Sequence, residues 1–172
     1  FDVTLPLVGE FQAYNALCAL GLAIACGSDA SMTPNLEKLK GVRGRMECVG
    51  QTDDGAAVYV DYAHTPDGLE TALKSLRPHA KGRLHAVFGC GGDRDRGKRP
   101  MMGKIAAELA DRAIVTDDNP RSEDPAAIRA AVMQADARLI EVAGRRKAIA
   151  TAIADLQKDN ILIIAGKGHE QG

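Results

Sequence analysis

Four short stretches of the chain concentrate residues that can do chemistry, and each follows a run of apolar residues. The first is 60–67, Val-Asp-Tyr-Ala-His-Thr-Pro-Asp. Thr65 and Pro66 have the form of a helix cap and first turn, and the free N–H groups at a helix start suit a phosphate or carboxylate. Capping explains Thr65 and Asp67 at least as well as ligand contact does. His64 has no capping duty, which points it to a polar site, and Asp61 stands at a strand end. The second stretch, 88–100, sets Gly89, Gly91, Gly92 and Gly97 among Arg94, Arg96, Lys98 and Arg99. Glycine lets backbone approach a ligand closely, and the loop reads as an anion site; for Arg94 that is favoured over an ordinary solvated turn, while for Arg96 and Lys98 the two readings stand even. It is not a dinucleotide fingerprint, because Arg94 stands where the last glycine of G-x-G-x-x-G belongs. Nor is it a P-loop, because Arg99 follows Lys98 in place of Ser or Thr.

The third stretch is 116–125, Thr-Asp-Asp-Asn-Pro-Arg-Ser-Glu-Asp-Pro. Asp124 and Pro125 are accounted for as a cap and first turn. Asp118, Asn119 and Arg121 are not needed for that. They offer a carboxylate, an amide and a guanidinium fork, a set that matches a ligand with an ammonium and a carboxylate on one centre. Pro120 stiffens the turn. A polar surface turn is an equally good reading on these residues alone. The fourth stretch, 164–170, opens a buried run into Gly166, Lys167, Gly168, His169 and Glu170. Glu170 can receive an ammonium and Lys167 an anion.

These stretches must be held by regular elements. Residues 46–50 and 57–61 read as a hairpin turned at Asp53-Asp54-Gly55. The apolar runs 84–88, 113–116, 139–142 and 161–165 then alternate with helical patterns at 66–76, 100–109, 125–135 and 145–156. Three of these helices carry Pro at the first turn, and Ile149, Ile153 and Leu156 form a stripe on the last. The pattern predicts an α/β fold: a doubly wound, Rossmann-like, mostly parallel sheet with an N-terminal antiparallel hairpin strand. Ligands of such sheets bind beyond the carboxyl ends of the strands, where all four stretches lie. Ahead of the sheet, 10–26 reads as a helix with an Ala13, Leu17, Leu20, Ile24 stripe, stopped at Gly27. A second helix follows at 33–39 with Thr33 as its cap. The glycine-rich joint at 41–44 marks a domain boundary.

Lys and Arg (22) nearly cancel Asp and Glu (23), so no whole-molecule attraction to nucleic acid or an anionic membrane is expected. The longest apolar runs, 16–26 and 161–165, are too short to span a bilayer. The four cysteines show no C-x-x-C spacing and fit a reducing cytoplasm, with Cys18 and Cys26 expected as small buried hydrophobes. The residues alone thus support an α/β domain for an anionic, zwitterionic metabolite and name no reaction.

The stretches, in this order, resemble the C-terminal domain of the Mur ligase family over essentially the whole chain. Asp61-Tyr62-Ala63-His64-Thr65-Pro66 and Gly91-Gly92-Asp93-Arg94-Asp95 are similar to family motifs. Asp118-Asn119-Pro120-Arg121 matches the recognition motif of the branch that adds meso-diaminopimelate, a branch distinguished from lysine users by that Arg. The resemblance implies that Arg94, Asp118, Asn119, Pro120, Arg121, Gly166 and Glu170 contact meso-diaminopimelate. It also implies that Asn15, Arg45, Asp61 and His64 contact ATP, with Gln12 standing where an Asn is usual. It divides the chain into 1–41, the end of a central ATP-binding domain, and 42–172, an amino-acid-binding domain truncated at its end, with a hinge near 40–44. The implied reaction is an ADP-forming amide ligation through an acyl phosphate, joining meso-diaminopimelate to a UDP-muramoyl dipeptide in cytoplasmic peptidoglycan precursor synthesis. ATP and Mg²⁺ are the implied cofactors, the metal being held outside these residues, and the partners are small molecules acting on a monomer. The chain is expected to be a fragment, inactive alone. Competing readings are a lysine-adding or folylpolyglutamate-type ligase and a non-catalytic Rossmann-like binding module.

Overall fold

Successive residues of a strand face opposite sides of a sheet, and here both sides of the central strands 84–88 and 161–165 are covered, so these two are buried at every position. In the computed structural model, which describes residues 2–168, β3 (Leu84–Phe88) turns Leu84, Ala86 and Phe88 into one core and Val87 into the other. β6 (Ile161–Ala165) does the same, with Ile161, Ile163 and Ala165 on the first side and Leu162 and Ile164 on the second. The larger core lies under α2 (Pro66–Leu76), α3 (Lys98–Leu109) and α4 (Pro125–Met133), through Leu69, Leu73, Leu76, Met102, Ala106, Ile128 and Val132. The smaller lies under α5 (Arg145–Ala154), through Ala148 and Ala152.

β1 (Glu47–Gln51), β2 (Ala57–Asp61), β4 (Arg112–Val115) and β5 (Ile140–Glu141) complete a sheet ordered β1-β2-β6-β3-β4-β5. β1 pairs antiparallel with β2, with a bulge between Cys48 and Gly50, and the β2, β6, β3, β4 and β5 pairings are parallel. The expected doubly wound, mostly parallel sheet with an antiparallel edge is therefore found. Because β6 enters between β2 and β3, the loops after β2, β3, β4 and β6 emerge side by side.

Several local expectations change. The 30–38 segment is a 3₁₀ helix capped by Asp29, which accepts from the Ser31 N–H at 2.8 Å; Thr33 instead donates its hydroxyl to the Ala30 carbonyl. Asp29 caps better because its carboxylate meets the free N–H groups one turn earlier. Pro100 is the third residue of α3, not the first, and its missing N–H still falls among those a helix start leaves unpaired. α5 packs through Ala148 and Ala152 while Ile153 is exposed, since small residues let the helix sit close to the sheet.

α1 (Glu10–Ala25) meets the larger core through Phe11, with Val8 ahead of it. Its expected stripe does not turn inward: Leu17 and Ile24 are exposed and only Ala16 is buried. Cys18 and Cys26 are likewise exposed rather than buried, because nothing described packs along this helix beyond its first turns and the 3₁₀ segment; Cys90 is the buried thiol. No helix among the described residues is long and apolar enough to cross a membrane.

The joint ahead of β1 rests directly on the loop after β6. Gly44 (φ +67) and Gly168 (φ +132) meet backbone to backbone, and a Cβ on either would lie within 2.4 Å of the other's Cα. Gly44 O accepts from the Tyr62 N–H at 2.8 Å, and Asp61 O accepts from the Lys167 N–H at 3.2 Å. Two of the four chemically loaded loops, those after β2 and β6, are pinned to this joint and to one another in this way.

Candidate functional site

The parallel strands end together at one cleft of about 710 Å³. The loop after β2 supplies Tyr62, His64, Thr65 and Asp67. Thr65 caps α2, its Oγ1 accepting from the Gly68 N–H at 3.2 Å, which fixes the turn that presents His64. The His64 ring lies edge-on to Tyr62 at 4.7 Å, and its Nδ1 is 3.1 Å from the Tyr62 carbonyl. The loop after β3 supplies Gly91, Arg94, Asp95 and Lys98. Lys98 Nζ donates to the His64 carbonyl at 2.8 Å, so a cation bridges two walls of the cleft.

The loop after β4 carries Asp118, Asn119 and Arg121 into the same cleft. Asp118 Oδ1 accepts from the Asn119 N–H at 2.9 Å, and Asn119 Oδ1 accepts from the Arg121 N–H at 3.2 Å. This chain of turns holds Arg121 at φ +50, a left-handed conformation that ordinary side chains seldom adopt. Arg121 Nη1 donates to the Gly92 carbonyl at 2.8 Å, one engagement among the five donors of a guanidinium. Its Nη1 also approaches Gly91 so closely that a Cβ there would sit 2.8 Å away. Gly166, at φ +79, forms part of the cleft wall from the loop after β6, and Lys167 lies 3.8 Å from Asp118.

Behind these side chains the loops are cross-linked. Glu123 accepts two bonds from the buried Arg99, at 2.7 and 3.1 Å, and one from the Asp93 N–H at 2.7 Å. Arg99 and the Asp93 N–H hold its carboxyl down at about 2. Asp93 in turn accepts from the Ser122 hydroxyl and N–H at 2.7 and 3.0 Å, which lowers its own pKa. On the other side, Asp117 receives Arg129 and the Gly144 N–H, and Arg145 donates to the carbonyls of Asp117 and Ala165. The thiol of Cys90, pushed up to about 11 mainly by burial, is an inert packing group beneath the cleft.

Arg94, Asp118, Asn119, Arg121, Gly166 and His64 are thus brought to one cleft. Pro120 shapes the turn, its carbonyl set against Gly92. A second cleft, of about 460 Å³, shares Tyr62, His64, Thr65 and Asp67 with the first and adds Arg45, Asp61 and Phe11. Arg45 stacks 4.7 Å above the Tyr62 ring. Both carboxylate oxygens of Asp61 accept backbone N–H groups, from Met46 and Ala63, so Asp61 builds the wall between loop and joint. Asn15 sits apart on α1, its amide 3.5 Å from Gln12. Glu170 and His169 lie outside the described residues. Among those described, no group of three or more His, Cys, Asp or Glu could hold a metal ion.

Spacing gives no sign of Glu123, Asp93, Ser122 or Arg145 as builders of the site, because their partners are on other loops; Lys98 is signalled, as a cation beside a glycine-rich strand end.

Residues 44–168 match the family described as Mur ligase, glutamate ligase domain. The chain is 60% identical over 169 residues to the UDP-N-acetylmuramoyl-L-alanyl-D-glutamate–2,6-diaminopimelate ligase of Caulobacter vibrioides, covering 98% of this chain and 35% of that protein. It is 58% identical over 173 residues to the enzyme of the same name from Mesorhizobium japonicum, covering 100% of this chain and 36% of the relative. A solved structure of a ligase of that name superposes with a TM-score of 0.74 at 44% identity, over 99% of this chain and 36% of the other. The chain therefore spans about a third of the length of the curated relatives it matches.

Proposed function

Because the chain belongs to the Mur ligase family, we propose that it is the amino-acid-binding part of an ATP-dependent, ADP-forming ligase that joins meso-diaminopimelate to UDP-N-acetylmuramoyl-L-alanyl-D-glutamate. The observation that carries this reading is the convergence of Arg94, Asp118, Asn119, Arg121 and Gly166 on one cleft. Residues 1–41 are then the end of a central ATP-binding domain and 42–172 the amino-acid-binding domain. The enzyme works as a monomer in the cytoplasm, on peptidoglycan precursors.

In this reading Arg121 and Arg94 grip the carboxylate of the distal centre of meso-diaminopimelate, and Asp118 and Asn119, with Glu170, receive its ammonium. Pinned at that end, the molecule presents its other amine to the activated D-glutamate carboxyl. Holding the amine there is a proximity effect, and it is this domain's contribution to the rate. Lysine lacks the distal carboxylate and would leave Arg121 without its counter-ion, which is the basis for rejecting it. Arg45 and His64 flank the second cleft as nucleotide contacts, Asp61 holds their loop in place, and Asn15 approaches from α1. The described residues do not fit a metal site, so activation of the carboxyl with ATP and Mg²⁺ is assigned to the rest of the enzyme and no step here runs through the metal.

The test uses the full-length enzyme with Arg121→Ala and Arg121→Lys. Loss of a charged hydrogen-bonding pair costs about 1.5–3 kcal/mol, so the KM for meso-diaminopimelate should rise about 10- to 150-fold in Arg121→Ala while the KM for ATP stays put. Arg121→Lys should recover only part of the loss, because an ammonium lacks the planar fork. Parallel loss of both substrates would remove this loop from the amino-acid site.

A further inference from the structure

Arg94 and Arg121 reach the cleft from different loops, 27 positions apart in the chain and on neighbouring strands. Two flexible cations grip one carboxylate only if their loops are held in fixed register. The residues that set this register are not in the cleft. Glu123 is well covered, its side chain 13% exposed, and is not among the cleft-lining residues. It receives the guanidinium of Arg99, whose side chain is 4% exposed, from the start of α3. It also receives the Asp93 N–H, the residue directly before Arg94. Arg96 adds a third contact at 3.2 Å. From the opposite direction Ser122 gives Asp93 two hydrogen bonds, so Asp93 is tied to two adjacent residues of the other loop. Gly92 closes the junction, its N–H donating to the Asn119 carbonyl at 2.9 Å while its own carbonyl receives Arg121.

We propose that Glu123 is a positioning residue for the amino-acid substrate: by tying Arg99 and the Asp93 backbone to the loop after β4, it fixes the separation of Arg94 and Arg121, and thereby the preference for a substrate with a distal carboxylate. The inference rests on the site reading above and deepens it. Glu123 touches no substrate. It acts through the two arginines that do.

The consequence is a particular kinetic signature. Freeing the loops leaves the arginines present but misplaced, and a displacement of about 1 Å can cost up to about 100-fold in a positioned reaction. In the full-length enzyme, Glu123→Gln keeps the shape and one acceptor but removes the charge that holds Arg99. The KM for meso-diaminopimelate should rise about 10-fold or more, the KM for ATP should not move, and the ratio of kcat/KM for meso-diaminopimelate over lysine should fall in step. Ser122→Ala, a milder change on the exposed side of the same junction, should move the same two quantities in the same direction by a smaller factor. It keeps the test alive should Glu123→Gln fail to fold. A merely structural role would lower the unfolding midpoint and kcat while leaving both KM values and the substrate ratio unchanged, and that result overturns the proposal. Arg121→Ala is run alongside. If it raises the KM for meso-diaminopimelate and neither Glu123→Gln nor Ser122→Ala does, the positioning role alone is lost. If Arg121→Ala has no effect either, the site reading falls with it.

Discussion

His85 is the buried ionisable group farthest in function from the cleft, near the start of β3. Its Nε2 lies 3.3 Å from the Asn160 amide, whose oxygen accepts the Arg83 N–H, and its Nδ1 is buried without a hydrogen-bond partner. Burial first, then the charge of Arg112, push its pKa below 6.5; Asp155 opposes them, Arg83 adds a lesser push downward and Asp111 a lesser one upward. An imidazole that resists protonation when folded takes up protons more readily when unfolded. The stability it contributes is therefore complete above pH 6.5 and is lost as pH falls below that value toward its folded pKa. Denaturant unfolding at pH 7.5 and 5.5 should show this decline, and His85→Gln should flatten it. Glu123 acts in a separate window: its ordinary value of 4.5 is lowered to about 2, so its contribution persists at pH 5.5 and disappears only between those two values. A wild-type protein equally stable at pH 7.5 and 5.5 would contradict the reading of His85.

At the scale of elements, the loops after β3 and β4 behave as one unit because a glycine lets them touch. A Cβ on Gly92 would lie 1.9 Å from the Pro120 carbonyl oxygen, backbone against backbone, with no rotamer to relieve it. Gly92→Ala should force the loops apart at a cost of about 1–3 kcal/mol and weaken meso-diaminopimelate binding by titration calorimetry. Gly21→Ala, inside α1 with nothing within 4 Å of the new methyl, should instead stabilise by about 0.5–1 kcal/mol. The same contrast explains what was legible beforehand. Strands 84–88 and 161–165 and helix 66–76 stand where their patterns put them, because burial on both sheet faces writes an apolar run, broken only by His85, and Thr65-Pro66 writes a helix start. Asp118, Asn119, Arg121 and Arg94 were legible as a loaded strand-end cluster, since surplus polar residues beyond capping needs are visible locally. Glu123 was not, because its partners Asp93 and Arg99 are 30 and 24 residues away, and an ion pair across that distance leaves no periodic trace. The outward face of α1 departs from its pattern for a related reason: periodicity shows that a helix has an apolar side and says nothing of what covers it.

For the whole molecule, the core under α2, α3 and α4 bears most of the stability. Phe88, fully buried at the end of β3, joins that core to the glycine-rich loop that follows it. Phe88→Ala should destabilise by about 3–5 kcal/mol in denaturant titration. A much smaller loss would mean that the core collapses to fill the gap. At the other margin of the sheet the joint ahead of β1 is built differently, from Gly44 lying on Gly168. Side chains damp small movements by turning about their own bonds, and these two residues have none to turn. A shift of the Gly44 backbone therefore bears directly on Gly168, in the same turn as Gly166 of the cleft wall.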